Sequence, residues 1–78
     1  MPLKELIRSI AVELVDQPDK VVVNEIAGEN NTLIELRVAR EDVGKVIGKE
    51  GRTAQSMRTL LSAVSTKLGR RAHLDIVD

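Results

Sequence analysis

The sequence predicts a two-layer α+β domain in which helices cover one face of a three-stranded mixed sheet, in the order α-β-β-α-α-β. Three observations predict it. An amphipathic helical pattern opens the chain, two β-rich runs flank a Gly/Asn turn, and two further helical patterns joined by a glycine-bracketed loop precede a last alternating run. A strand, a two-helix crossover and another strand place the last strand parallel to the second, through a right-handed connection.

Each element has a local cause. Pro2 suits the first position of a helix, and Leu3, Leu6, Ile7, Ile10, Val12 and Leu14 carry the apolar face over about residues 2–15. Asp16-Gln17-Pro18-Asp19 ends that helix. The β-rich run Val21-Val22-Val23-Asn24-Glu25-Ile26 leads into turn chemistry at Gly28-Glu29-Asn30-Asn31. From Thr32 to Val38 the pattern alternates, with Leu33, Glu35 and Arg37 on one face and Ile34, Leu36 and Val38 on the other, so the two runs form an antiparallel hairpin. Arg40-Glu41-Asp42 starts a short helix with Val43, Val46 and Ile47 as apolar positions, which stops at Gly48. Beyond the loop, Ala54, Met57, Leu60, Leu61, Val64 and Leu68 recur at helical spacing until Gly69 caps the C-terminus. Arg70-Arg71 is a basic connection, and Ala72, Leu74 and Ile76 alternate with His73, Asp75 and Val77 as the last strand.

A chain of 78 residues is expected to make one domain over positions 1–78, with 42% apolar and 31% charged residues in the ordinary globular range. It contains no cysteine, so disulfides and thiolate metal sites are excluded, and the one histidine, His73, cannot build a zinc site by itself. No apolar run is long enough to span a membrane and no signal-peptide pattern opens the chain, which points to the cytoplasm. No cofactor, membrane or small-molecule substrate is expected. Neither a Ser/His/Asp set nor a carboxylate pair stands out, so the chain does not read as an enzyme.

The net charge of zero hides a segregation. Residues 1–36 carry three cations against seven anions, residues 37–43 balance, residues 44–71 carry seven cations against Glu50 alone, and residues 72–78 add two aspartates. The basic stretch contains the glycine loop. Local potential, and not net charge, steers a polyanion to its site. The absence of Phe, Tyr and Trp closes the base-stacking mode of single-strand binding, which contributes about 1–3 kcal/mol per base, and leaves aliphatic, hydrogen-bonded or arginine contacts.

The most informative stretch is Val46-Ile47-Gly48-Lys49-Glu50-Gly51-Arg52. Gly48 and Gly51 allow a tight turn and leave the N–H groups of the next helix free of bulky neighbours, at the positive end of the helix dipole. Lys45, Lys49 and Arg52 surround the two glycines, as a phosphate contact requires and a plain helix–helix turn does not. A nucleotide-binding P-loop fails on spacing, since Gly44 precedes Gly48 by four positions and Glu50 follows Lys49 where a hydroxyl is needed.

The same residues resemble the VIGxxG core of KH domains, whose GXXG loop clamps four backbone nucleotides. The element order resembles the type II arrangement. The run Val-Gly-Lys-Val-Ile-Gly-Lys-Glu-Gly-Arg at residues 43–52, with the N-terminal helix and the length, is similar to the small bacterial single-KH proteins of the KhpA family over about residues 3–77. The resemblance implies a non-catalytic protein that binds single-stranded RNA, with RNA-chaperone activity and a second KH protein, KhpB, as partner, acting on cell-wall synthesis and cell length. Self-association is a further expectation, since a domain this small has a limited core. The implied groove maps to residues 41–60, the strand at 73–77 and the connection at 69–72. Within it Gly48 and Gly51 admit the sugar-phosphate backbone, and Lys49 contacts phosphate. Arg52 sits in the first turn of the next helix. Val46, Ile47, Ala54 and Met57 form an apolar floor, and Arg70 and Arg71 guard the far rim.

Two positions depart from the general KH pattern. Glu50 puts a carboxylate inside the loop, and Ala54 stands where a branched apolar residue is usual. Both reduce tight, sequence-specific binding more than RNA binding itself. Replacing Gly48 and Gly51 together by Asp is expected to abolish RNA binding and leave the fold intact. The alternative is a protein-interaction module in which the fold is a dimerisation scaffold and a partner contacts RNA. A helix-turn-helix DNA binder ranks third, because the second helix opens with few base-reading side chains.

Overall fold

The computed structural model describes residues 3–77, so the expected role of Pro2 lies outside the described residues. Three helices and three strands follow in the predicted order: α1 (Leu3–Leu14), β1 (Val22–Ala27), β2 (Asn31–Arg37), α2 (Val43–Ile47), α3 (Arg52–Lys67) and β3 (Arg71–Val77). Each strand is displaced by only one residue from the run that predicts it. A 3₁₀ turn at Pro18–Lys20 precedes β1, and another at Arg40–Asp42 makes up the start of the expected short helix.

The sheet order is β1-β2-β3, with β1 antiparallel to β2 and β3 parallel to β2. Asn31 of β2 lies beside Arg71 of β3, and Arg37 lies beside Val77. Alternation along the central strand sends Thr32, Ile34 and Leu36 under the helices, where all three are fully buried. From the outer strands, Val23 and Leu74 point the same way. Leu3, Ile7 and Ala11 of α1 recur every four residues and close the core over β1 and β2, while Met57 and Leu61 of α3 close it over β3. The opposite face of the sheet is open, and Val22 and Ile26 of β1 are exposed there.

The C-terminus of α3 is a Schellman motif. Gly69 adopts φ +74°, its N–H bonds to the Thr66 carbonyl at 3.1 Å, and the Arg70 N–H bonds to the Ser65 carbonyl at 3.0 Å. The Arg71 N–H then reaches the Asn30 carbonyl at 3.0 Å, which sets β3 against the hairpin turn in the observed register.

A polar stitch joins the end of α1 to the start of α2. The buried Asp42 carboxylate accepts a hydrogen bond from the Gln17 backbone N–H at 3.0 Å. The Gln17 side-chain amide donates to Glu41 at 3.1 Å. Lys45 completes the group, its ammonium 3.2 Å from Asp16 and 4.0 Å from Asp42. The Gln17 amide, helped by the backbone N–H of Glu41 and by Lys20, holds the Glu41 carboxyl below the usual carboxylate pKa.

Asp42→Ala should therefore cost about 1.5–3 kcal/mol in chemical denaturation, the range for a lost hydrogen bond to a charged group, while Glu29→Ala at the exposed hairpin turn should stay within about 0.5 kcal/mol. The Glu41 contact has a definite pH sign. Because the folded pKa lies below the unfolded one, its contribution is present above the unfolded value and is lost as pH falls through the folded value. Glu41→Gln should flatten that acid limb of the denaturation midpoints.

Candidate nucleic-acid interface

Residues 48–51 join α2 to α3 and project from the end of the crossover. Gly48 adopts φ +79° and ψ 172°, Glu50 φ 57° and ψ 25°, and Gly51 φ +74° and ψ 12°. All three backbones therefore lie at positive φ, where only glycine is at ease. Two backbone bonds draw the turn tight: the Gly48 N–H reaches the Gly44 carbonyl at 2.9 Å, and the Gly51 N–H reaches the Gly48 carbonyl at 3.1 Å. No side chain caps the N-terminus of α3. The positive end of a 16-residue helix is thus left to solvent or to an anion.

The two glycines do different work. A Cβ on Gly48 would run into the Thr53 side chain and lie 2.9 Å from the Thr53 backbone nitrogen, whereas a Cβ on Gly51 would meet nothing within 4 Å. Gly48 is required both by its conformation and by the close packing of the loop on the first turn of α3. Gly51 is required by conformation alone. The expectation that paired aspartates leave the fold intact meets a steric objection at one position: Gly48→Asp collides with α3, whereas Gly51→Asp meets no neighbour and carries only the cost of its left-handed backbone.

The cations expected around the glycines are in unequal states. Lys45 is drawn back onto Asp16 and Asp42, away from the role of a free phosphate ligand. Arg52 donates to the Glu50 carboxylate at 3.3 Å. Among the described residues Lys49 is held by no side chain and stands exposed. The expected apolar floor is also corrected. Val46, Ala54 and Met57 are 0%, 2% and 1% exposed, so their side chains belong to the core, and of the four only Ile47 keeps open surface. Helical periodicity identifies the inward face but not its depth.

Arg70 and Arg71 stand at the opposite end of α3, roughly 24 Å from the loop at 1.5 Å rise per residue. They line two shallow depressions of about 370 and 280 Å³, together with Asn30, Thr66, Gly69, Ser62, Ser65, Ala72 and His73. Asn30 and the three hydroxyl residues had no signal in the sequence. They are brought to the arginines by the Schellman turn and by the Arg71–Asn30 bond.

An α-β-β-α-α-β fold with a Gly-Lys-Glu-Gly turn between its last two helices has a specific match. The sequence model of the KhpA/KhpB KH domain fits residues 4–76. The chain belongs to this family. It is 53% identical over 73 residues to the RNA-binding protein KhpA of Caldanaerobacter subterraneus, covering 94% of this chain and 97% of the relative. The KhpA of Aquifex aeolicus is 50% identical over 76 residues, covering 97% and 96%, and that of Borreliella burgdorferi 51% over 74 residues, covering 95% and 90%. Among solved structures, Aquifex aeolicus Era bound to GDP and aluminium fluoride superposes with a TM-score of 0.60 at 24% identity, over 97% of this chain and 31% of Era. That likeness speaks for the fold alone.

The two glycines make separable predictions for thermal denaturation. Gly51→Ala should cost about 1–2 kcal/mol, the penalty of a left-handed residue with a Cβ. Gly48→Ala should cost clearly more, because the same penalty is joined by the collision with Thr53.

Proposed function

We propose that the protein binds single-stranded RNA without catalysing a reaction on it, through the loop at residues 48–51. The observation that carries this reading is the exposed, uncapped turn at the head of α3 in a chain whose family relatives are named RNA-binding proteins. Lys49 and the uncapped first turn of α3 take phosphate. Ile47 offers the aliphatic contact beside it, and Arg70 and Arg71 extend the basic track to the far end of α3. On the sequence resemblance, this reading places the protein in the cytoplasm as an RNA chaperone with a KhpB-like partner, in pathways that set cell-wall synthesis and cell length. No described helix is long and apolar enough to cross a membrane.

A second reading has its own support. Leu60 and Leu68 are about half exposed and lie four residues either side of the half-buried Val64, forming an apolar stripe on the outer side of α3. This stripe favours self-association or docking of a partner through α3. In that reading the KH fold is an interaction scaffold and the partner contacts RNA.

The loop reading is tested with a fluorescent single-stranded RNA. Lys49→Glu combined with Gly51→Asp should weaken binding about tenfold or more, since two anions replace a cation and a bare backbone, while far-UV circular dichroism stays unchanged. Wild-type affinity should fall with salt by a slope of about −0.7 per phosphate neutralised. Equal retention of RNA by the folded double variant, or a flat salt profile, would exclude the loop. Light scattering of Leu60→Glu with and without RNA separates the scaffold reading, in which loss of the assembly alone abolishes RNA capture.

A further inference from the structure

Glu50 is the only acidic side chain between residues 44 and 71, and the fold places it inside the loop, where a phosphate is expected. Two observations show how it is accommodated. Its backbone is held left-handed at φ 57°, a conformation costly for a residue with a Cβ. Its carboxylate lies 3.3 Å from the Arg52 guanidinium, with both side chains exposed. A carboxylate and a phosphodiester present the same kind of acceptor to the guanidinium fork, so the two compete for one donor set. An exposed ion pair is weak and therefore displaceable.

We propose that Glu50 sets the RNA affinity of the loop as the resident counter-ion of Arg52, which an incoming phosphodiester must displace. The proposal rests on the RNA-binding reading given above and deepens it by assigning opposite roles to neighbouring loop residues. Lys49, free of any partner among the described residues, makes the first contact. Arg52 engages only after its carboxylate is released. Glu50 is thus an affinity-limiting residue, and its removal improves binding. Lys45 is not part of this exchange, because Asp42, which also faces it, is buried and fixed by the Gln17 N–H.

The test is a double-mutant cycle of wild type, E50Q, R52Q and E50Q/R52Q against one single-stranded RNA, by fluorescence anisotropy at several salt concentrations. E50Q should bind about two- to fivefold tighter, the span of exposed ion-pair strengths, and its salt slope should steepen by about 0.7. R52Q should weaken binding by that same factor more in the E50Q background than in the wild type. E50G separates charge from backbone, since it removes the carboxylate and relieves the left-handed strain. A gain in E50G with none in E50Q would assign the effect to strain and overturn the counter-ion role. Additive effects in the cycle, or weaker binding by E50Q, would also overturn it. If wild type and the Lys49→Glu, Gly51→Asp variant bind RNA equally, the RNA-binding reading fails and the proposal with it.

Discussion

Parallel pairing of β3 with β2 cannot be closed by a tight turn. The chain leaves β2 at Arg37 and must re-enter the sheet beside Asn31, at the strand's other end, before Arg71 can pair there. That constraint decides where everything else lies. A seven-residue strand is about 23 Å long, and sixteen residues of helix return about 24 Å. Helix α3 therefore spans the sheet once, with its N-terminus level with the ends of β2 and β3 and its C-terminus level with their starts. The glycine loop stands at one pole and the Arg70–Arg71 turn at the other. Their separation is a consequence of strand length, and both poles belong to the same rigid element.

The loop itself shows how steric and conformational demands divide between two similar residues. Gly48 must let Thr53 approach, so that the first turn of α3 can seat against the end of α2. Gly51 must only turn left-handed, and its surroundings are empty. Between them Glu50 takes the same left-handed conformation with a Cβ, and no glycine stands there to relieve it. Strain of this kind persists only where the flanking structure over-determines the backbone. Here the flanking structure is the pair of turn bonds and the Gly48–Thr53 contact.

How much of this was legible in the sequence follows from what periodicity can encode. The alternation from Thr32 to Val38 separates the buried from the open face of β2, and of the recurring Ala54, Met57, Leu60, Leu61, Val64 and Leu68 in α3 the first, second and fourth are core while Leu60 and Leu68 are half exposed. Element order and parallel pairing followed from the connection lengths. Depth did not: the family resemblance implies a groove floor at Val46 and Ala54, and in the fold both side chains are buried. Long-range ionic partners did not either. Lys45 read as a loop cation because it is three positions from Gly48, yet Asp16, remote in sequence, reaches it once α1 packs beside α2. The same holds for Asn30, Ser62, Ser65 and Thr66 around the arginine turn, since no local pattern announces which loops will meet.

Folding also redraws the charge map that the linear sequence suggests. Asp16 and Asp42 are folded onto Lys45, and Glu50 is folded onto Arg52, so two of the cations beside the glycine loop carry a carboxylate of their own. At the two poles of α3 the cations left for a polyanion are Lys49 and the two arginines, with Arg58 and Lys67 exposed along the helix between them. Few phosphate contacts mean a shallow salt dependence and fast exchange from any single copy. If the Leu60, Val64 and Leu68 stripe brings two copies together, a second clamp on the same strand becomes an intramolecular contact with a high effective concentration. RNA long enough to bridge both clamps must then strengthen the assembly by the factor through which the assembly strengthens RNA binding. A weak clamp on a self-associating helix is in this sense a length-selective one, because a short oligonucleotide gains nothing from the second copy.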